Sequence, residues 1–143
     1  MIVVDASVAA KWVLTEQHSD KAEALHDACA RAGEPIVAPP LLPIEITNIL
    51  RQRMRREGLP LADAVVLLQR FLAFPVTLAA PAQLHQDALI LAETHNLPAV
   101  YDAHYIALAQ ALGCDLWTAD QRLVNAVADQ LPFVKWIGAY LQP

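Results

Sequence analysis

The sequence opens with an apolar run that ends directly at a carboxylate. Ile2, Val3 and Val4 are followed by Asp5, and small residues then lead into a helical pattern. An uninterrupted, mostly β-branched run is typical of a strand buried on both faces, as in the middle of a parallel sheet. Asp5 would then lie at the carboxyl end of that strand, which is the edge where open α/β sheets bind ligands. The opening therefore predicts a parallel sheet whose functional residues gather at one edge.

Further apolar segments alternate with helical patterns along the rest of the chain. Short strands are predicted at Ile36–Ala38, Val76–Leu78, Asp115–Thr118 and Phe133–Ile137, with one or two amphipathic helices between consecutive strands. This alternation predicts an α/β fold with a mostly parallel central sheet and helices on both faces. Neither a long linker nor a repeat interrupts the pattern, so we expect residues 1–143 to form one domain.

The composition favours a well-packed protein of the cytoplasm. Hydrophobic residues make up 56% of the chain and charged residues 17%, which predicts a thick core or an apolar oligomer face. No apolar run reaches the ~18 residues needed to cross a bilayer. No basic segment precedes the first apolar run, so a secretory signal is not expected. We therefore predict a cytoplasmic protein without a membrane span.

Basic residues are concentrated in one predicted helix. The net charge of −5 argues against a general attraction to nucleic acid, yet four of the ten Lys and Arg residues fall within six positions. These four are Arg51, Arg53, Arg55 and Arg56. Their forked guanidinium groups suit phosphate oxygens, so we regard them as candidate phosphate-binding residues. The alternative is a solvated helix face that binds nothing.

Three acids occupy junctions between an apolar segment and a helix. Asp5 and Asp120 follow predicted strands, and Asp102 follows the apolar segment Ala99–Tyr101, before a helix predicted from about Ala103. Asp at such a junction is often an N-cap, which accepts hydrogen bonds from free N–H groups of the helix. For each acid alone, capping explains the position as well as catalysis does. Taken together, the three acids are expected at one edge of the sheet.

A fourth acid, Glu45, shares the inward face of a predicted helix. It comes three residues after Leu42 and four before Ile49, which are apolar positions of the same stripe. A buried carboxylate must be paired, protonated or bound to a cation. Pairing with a nearby arginine is the simple alternative. If Glu45 instead reaches the other three acids, their mutual repulsion requires a cation.

A site made only of carboxylates has a defined chemistry. Oxygen ligands at a half-open site suit Mg²⁺ or Mn²⁺, which keep water ligands and bind phosphate oxygens. Such an ion lowers the pKa of a bound water and offsets the charge of a phosphodiester under attack. The four acids therefore favour metal-dependent hydrolysis of a phosphodiester bond.

The order of these segments resembles the PIN domain family and, within it, the VapC-type toxin ribonucleases. The resemblance lies in Val3–Ser7, in Pro43–Leu50, in Tyr101–Ala109 and in Trp117–Leu123. It extends over nearly the whole chain, and the last two segments are its most specific parts. It implies a three-layer α/β/α sandwich with a mostly parallel central sheet.

The resemblance also implies a cation site, an activity and partners. The implied ligands of Mg²⁺ or Mn²⁺, which would also orient the attacking water, are Asp5, Glu45, Asp102 and Asp120. Thr118 matches a hydroxyl position and would hydrogen-bond a carboxylate or that water, and Ser7 could do the same. The implied activity is endonucleolytic cleavage of RNA, whose phosphates the four arginines would bind. The implied partners are a second copy of the chain, in a homodimer, and a VapB-like antitoxin.

Other functions fit parts of the pattern. A haloacid-dehalogenase-like phosphatase also has an Asp after its first strand, but it usually has a second Asp two residues later, where this chain has Ser7. A Rossmann-type cofactor binder is disfavoured because no glycine lies in the turn after the first strand. A non-catalytic PIN-like module would bind RNA or a protein and is expected to have lost some of the acids. All four acids are present, which favours the enzyme.

Overall fold

The computed structural model describes residues 1–141, and within them the chain forms a five-stranded sheet. Each strand is three residues long. The strands are β1 (Ile2–Val4), β2 (Ile36–Ala38), β3 (Val76–Leu78), β4 (Leu116–Thr118) and β5 (Val134–Trp136). Their order across the sheet is β3-β2-β1-β4-β5, and all four pairings are parallel. The first strand of the sequence is therefore the central strand of the sheet.

Seven α-helices connect these strands in the described residues. One or two helices lie between consecutive strands, as the alternating sequence pattern predicts. The helices are α1 (Ala6–Ala9), α2 (Ser19–Ala32), α3 (Leu42–Glu57), α4 (Leu61–Leu72), α5 (Leu84–Thr94), α6 (Val100–Leu112) and α7 (Gln121–Val127).

The crossover connections decide which face of the sheet each helix covers. Crossover connections between parallel strands are right-handed. When the chain adds new strands on one side of β1 the connecting helices cover one face, and when it adds strands on the other side they cover the opposite face. The chain adds β2 and β3 on one side of β1, and α1 to α4 cover one face. It then returns to add β4 and β5 on the other side, so α5 to α7 cover the opposite face. The predicted three-layer α/β/α sandwich with a parallel sheet is confirmed.

The direction of strand addition reverses between the neighbouring strands β1 and β4. Connections leave these two strands toward opposite faces, which opens a crevice beyond their carboxyl ends. Val4 pairs with Trp117, so the segments that follow β1 and β4 emerge side by side. Asp5 follows β1 directly, and Asp120 follows β4 after one intervening residue. The topology thus brings two of the predicted acids to the same edge.

The hydrophobic core is built around the central strand and α6. Val3 and Val4 are completely buried, as expected for a strand covered on both faces. Residues Tyr105–Ala109 of α6 are buried without a break. A helix that is apolar all round packs inside a domain rather than on its surface. The two elements that lead to Asp5 and carry Asp102 are therefore both fixed by the core.

The strand boundaries agree with the sequence prediction to within one residue, but the start of α6 does not. The helix begins at Val100 rather than near Ala103, which places Asp102 inside its first turn. Asn96 adopts a positive φ of 50° just after α5, and Ala99 is extended. The chain therefore turns between the two helices, and helical backbone begins directly after Ala99. The prediction that Asp102 ends an apolar segment before the helix is wrong.

Two sequence predictions concern the chain as a whole. Within residues 1–141, no helix is both long enough and apolar enough to cross a membrane. The prediction of one domain over residues 1–143 includes residues 142 and 143, which lie outside the described residues.

Core packing predicts a large difference in stability between two isoleucine variants. Ile106 on α6 is completely buried, whereas Ile44 on α3 is 71% exposed. Ile106→Ala should lower the free energy of unfolding by about 2–5 kcal/mol, because it removes buried apolar groups and leaves a cavity. Ile44→Ala should change that free energy by less than about 0.5 kcal/mol. Urea denaturation measures both values, and equal losses in the two variants would contradict this packing.

Candidate active site

A pocket of about 240 Å³ opens at the carboxyl ends of β1 and β4. Four separate segments of the chain line it: the turn after β1, the N-terminal half of α3, the start of α6 and the residue before α7. The acids in its lining are Asp5, Glu45, Asp102 and Asp120. The structure therefore brings together all four acids that the sequence singles out.

Asp5 is the most deeply buried of the four acids. It is the N-cap of α1, with Oδ1 accepting hydrogen bonds from the Val8 N–H at 3.0 Å and from the Ser7 hydroxyl at 2.6 Å. Burial raises the pKa of Asp5 to about 6. The hydrogen bonds that Asp5 accepts oppose this rise, and the nearby charge of Asp102 adds to it. Asp5 therefore holds its proton more tightly than an exposed aspartate does.

Two hydroxyl groups tie the turn after β1 to the end of β4. Ser7 Oγ donates to Asp5 and accepts a hydrogen bond from the Ala119 N–H at 2.8 Å. Thr118 Oγ1 accepts a hydrogen bond from the Asp120 N–H at 3.0 Å and lies 3.4 Å from Ser7 Oγ. Because Thr118 is completely buried, it supports the site from beneath the pocket. Together the hydroxyls fix the backbone that carries both aspartates.

Asp120 is the N-cap of α7. Its Oδ1 accepts hydrogen bonds from the Arg122 N–H at 2.9 Å and from the Leu123 N–H at 3.3 Å. The capping interpretation is thus correct for both Asp5 and Asp120. In both residues the capping bonds are made by Oδ1. Each aspartate can therefore cap its helix with Oδ1 and still present its other carboxylate oxygen to the pocket.

Asp102 reaches the pocket from a helix. It lies in the first turn of α6, whose N-cap is Ala99, so capping does not explain its position. Burial raises the pKa of Asp102, and the neighbouring charge of Asp120 raises it further. The partial positive charge of a helix N-terminus favours a carboxylate at this place.

Glu45 completes the set from the first turn of α3, where it accepts a hydrogen bond from the buried Tyr105 hydroxyl at Oε2. Burial raises the pKa of Glu45, and the hydrogen bond from Tyr105 lowers it. The charges of Asp5 and Asp102 raise it further. The partner of Glu45 is thus a tyrosine and not the arginine that the sequence allowed.

Tyr105 lies in the pocket although its sequence context predicts no role there. Its hydroxyl joins α6 to α3 through a hydrogen bond to Glu45. Burial raises the pKa of Tyr105, and this hydrogen bond raises it further. The signal that could have identified it is its position three residues after Asp102, which puts both side chains on one side of the helix.

Neighbouring negative charges make the ionised forms of Asp5, Glu45 and Asp102 less favourable, because like charges repel. Within residues 1–141, no group of three or more His, Cys, Asp or Glu side chains is already arranged to hold a metal ion. The donor set itself consists of carboxylate oxygens, which fits the chemistry of a hard divalent cation.

The four arginines do not share one face of α3. Arg53 and Arg56 line a groove of about 400 Å³ that has two residues of α3 in common with the acid pocket. Arg51 lines an apolar groove between α3 and α4 instead, and Arg55 lines neither groove. Successive residues of an α-helix are turned by about 100°, so a run of closely spaced arginines spreads around it.

Arg53 is held in place by two glutamates. Its guanidinium donates to the two Glu57 oxygens at 2.8 and 3.0 Å and also to Glu16. Glu16 is paired in turn with the buried Lys11, at 3.0 Å. Burial works against the ionisation of Glu16, yet Lys11 and Arg53 together hold the pKa of Glu16 below its usual value. Arg53 is therefore oriented at the groove by an ion-pair network.

The fold and the pocket together define a three-layer α/β protein with four carboxylates in one pocket at the edge of a parallel sheet. Residues 2–129 match the PIN domain family, and the chain belongs to this family. The resemblance noted in the sequence is thereby confirmed.

Known proteins align over most of the chain. Ribonuclease VapC9 of Mycobacterium tuberculosis (strain ATCC 25618 / H37Rv) is 38% identical over 135 residues, which cover 92% of this chain and 95% of that protein. Ribonuclease VapC12 of the same strain is 34% identical over 128 residues, covering 88% and 92%. Ribonuclease VapC3 of Pyrobaculum aerophilum is 34% identical over 126 residues, covering 87% and 92%.

A solved structure shares the fold. The crystal structure of Mycobacterium tuberculosis VapC20, described as a Sarcin-Ricin loop cleaving toxin, superimposes with a TM-score of 0.66. The two chains are 19% identical, and the superposition covers 94% of this chain and 99% of the other. At this level of identity the superposition supports the architecture alone.

The raised pKa of Asp5 predicts how the stability of the metal-free protein depends on pH. The Asp5 carboxyl keeps its proton up to a pKa of about 6 in the folded state, whereas its ordinary value is 3.8. Between these values the folded state binds more protons than the unfolded state, so the free energy of unfolding falls as the pH rises. Asp5→Asn should reduce this decline, because asparagine does not titrate and can still cap α1.

Urea denaturation in EDTA, from about pH 4 to about pH 7.5, measures this effect. Asp129→Asn is the matched control, because Asp129 is exposed and outside the pocket. This control should show the same decline as the wild type. A decline in Asp5→Asn as steep as that of the wild type would contradict the assignment to Asp5.

Proposed function

We propose that this protein is a metal-dependent endoribonuclease that hydrolyses RNA phosphodiester bonds, and that it is the toxin of a VapBC-type toxin–antitoxin pair. The observation that carries the proposal is the convergence of four carboxylates from distant parts of the chain on one pocket. Membership of the PIN domain family supports it, as do relatives named VapC ribonucleases that align over most of the chain.

The proposed cofactor is Mg²⁺ or Mn²⁺. The residues that would hold it, and that would orient the attacking water, are Asp5, Glu45, Asp102 and Asp120. When bound, the ion would lower the pKa of a water ligand and offset negative charge on the scissile phosphate. The positive charge of the ion would favour the ionised forms of Asp5, Glu45 and Asp102, whose pKa values are raised in the metal-free protein.

Neighbouring side chains orient these carboxylates. Tyr105 donates to Glu45 Oε2, and Ser7 donates to Asp5 Oδ1, so each of these acids has one constrained oxygen. We propose that Thr118 contributes to catalysis by bracing the backbone N–H of Asp120. Groups that are oriented before the substrate binds need little rearrangement during the reaction.

The RNA strand is proposed to run from the acid pocket along α3. The adjoining groove shares Asn48 and Ile49 with the pocket and is lined by Arg53 and Arg56. Arg53 is paired with Glu16 and Glu57, which line the same groove, so we propose that Arg56 provides the contact to the RNA backbone, which guanidinium groups bind well. Arg51 faces a different groove, which makes it a natural control.

Partner chains are part of the proposal. Large apolar side chains that a single chain leaves exposed include Leu61, Leu72, Leu89 and Tyr101. Exposed apolar surface of this kind commonly marks a protein interface. We propose that a second copy of the chain, in a homodimer, and a VapB-like antitoxin cover such surfaces. The proposed location is the cytoplasm, where the protein would encounter its RNA substrate and the antitoxin.

The alternative functions have less support. Ser7 stands where a haloacid-dehalogenase-like phosphatase would have its second Asp, and its hydroxyl is engaged with Asp5 and Ala119. A non-catalytic PIN-like module does not need a pocket lined by four acids. A cleavage assay separates the enzyme from the module.

Loss of a single pocket acid should abolish most of the activity. Asp102→Asn is expected to reduce RNA cleavage in Mg²⁺ or Mn²⁺ by about 100-fold or more, because it removes a charged oxygen from the proposed ion site. Asp115→Asn should cleave like the wild type, since Asp115 precedes β4 at the opposite edge of the sheet. EDTA should stop the wild-type reaction, and Mn²⁺ should restore it.

Two results of this assay would rule out the proposed centre. One is equal cleavage by the wild type and Asp102→Asn. The other is wild-type cleavage that persists in EDTA.

Substrate binding should distinguish two arginines on the same helix. Arg56→Ala is expected to raise KM with little change in kcat, because it removes a phosphate contact away from the reacting bond. The slope of log affinity against log salt for single-stranded RNA should become shallower by about 0.7. Arg51→Ala should leave both quantities close to the wild-type values. Equal effects of the two variants would contradict the proposed path along α3.

A further inference from the structure

We propose that His85 and His104 form a second metal site, which binds a transition-metal ion of the Ni²⁺, Cu²⁺ or Zn²⁺ type. The two residues lie near the N-terminal ends of α5 and α6, which pack against each other. His85 Nδ1 is 2.9 Å from His104 Nε2. Neither residue lines the carboxylate pocket, so this site is independent of the proposed nuclease activity.

His104 already has the orientation of a metal ligand. Its Nδ1 lies 2.8 Å from the carbonyl oxygen of Val100. A carbonyl oxygen only accepts hydrogen bonds, so Nδ1 carries the hydrogen and Nε2 presents a lone pair. Histidines that bind metals commonly donate the other ring N–H to a carbonyl or a carboxylate, which fixes the tautomer. The backbone of α6 therefore holds Nε2 of His104 ready to bind an ion.

The second nitrogen belongs to an exposed ring. Without an ion, His85 Nδ1 donates to the lone pair of His104 Nε2. The ring centroids are 5.1 Å apart and the ring planes meet at 62°. Because His85 is exposed, its ring can turn about its side-chain bonds while the half-buried His104 stays in place. When an ion binds, His85 would change to the tautomer with its hydrogen on Nε2, by proton exchange with water, so that Nδ1 of His85 and Nε2 of His104 each present a lone pair to the ion.

The distance between the nitrogens fits two neighbouring positions of one coordination sphere. Metal–nitrogen bonds of ~2.0–2.1 Å put two ligand nitrogens about 2.8–3.0 Å apart at a right angle and about 3.3–3.4 Å apart at a tetrahedral angle. The observed 2.9 Å lies at the short end of this range. Binding therefore requires a small rotation of His85 and no movement of the helices.

The ligand type determines which ions the site prefers. Imidazole nitrogens suit Zn²⁺, Cu²⁺ and Ni²⁺, whereas carboxylate oxygens suit Mg²⁺ and Mn²⁺. In the part of the chain that the structure describes, no third His, Cys, Asp or Glu joins the pair to make a larger metal-binding group. Water would complete the coordination on the exposed side. The ion would link α5 to α6, the helix that carries Asp102.

Ni²⁺ binding tests the proposal. Isothermal titration calorimetry with NiCl₂ should detect binding to the wild type, and Ni²⁺ should raise the melting temperature. His85→Gln and His104→Gln should each weaken Ni²⁺ binding by about tenfold or more and lose most of the temperature rise. His26→Gln removes an imidazole elsewhere, on α2, and should behave like the wild type. His85→Gln should also cleave RNA in Mg²⁺ at the wild-type rate.

Asp102→Asn separates this site from the carboxylate pocket. Wild-type affinity for Ni²⁺ in Asp102→Asn, together with weak binding in His85→Gln, supports the proposal. Weak binding in Asp102→Asn and wild-type binding in both histidine variants would mean that Ni²⁺ occupies the acid pocket, which overturns it. Equal affinity in all these variants also overturns it. Because His85 is exposed, its substitution tests the ligand without disturbing the core.

Discussion

The rest of the site depends on the convergence of four carboxylates on one pocket, three of which are wholly or partly buried. Burial raises the pKa of Asp5, Glu45 and Asp102, and neighbouring charges raise each of these pKa values further. Hydrogen bonds to Asp5 and Glu45 offset only part of this cost. A divalent cation would offset the repulsion between the carboxylates. The same cluster of carboxylates therefore accounts for the raised pKa values of the metal-free protein and for the proposed metal-dependent chemistry.

The fold places this strained group where a parallel sheet is open. The reversal of strand addition between β1 and β4 opens a crevice beyond their carboxyl ends, and Asp5 and Asp120 occupy it. Both aspartates also cap the helices that follow, so the same residues begin α1 and α7 and face the pocket. The Tyr105 hydroxyl connects the two helical layers through Glu45. Structural and functional roles are thus shared by the same side chains.

Much of the fold and the four acids could be predicted from the sequence, because strand periodicity and strand-end positions are local signals. The helix start before Asp102 could not, since it depends on the positive φ of Asn96 and on an extended Ala99. Tyr105 was hidden because a buried aromatic residue usually means packing, and its partner is distant in sequence. The division of the arginines between two grooves depends on how α3 packs against α4, which the helical repeat alone does not determine.

The most direct measurement of the central claim is a crystal structure of the protein with Mn²⁺, with the ion located by its anomalous scattering. We expect a peak in the pocket beyond β1 and β4, with oxygens of Asp5 and Asp102 bound to the ion and Glu45 drawn toward it. A pocket without a peak in crystals that hold Mn²⁺ elsewhere, or a peak that the acids do not approach, would show that the four acids do not form a metal site.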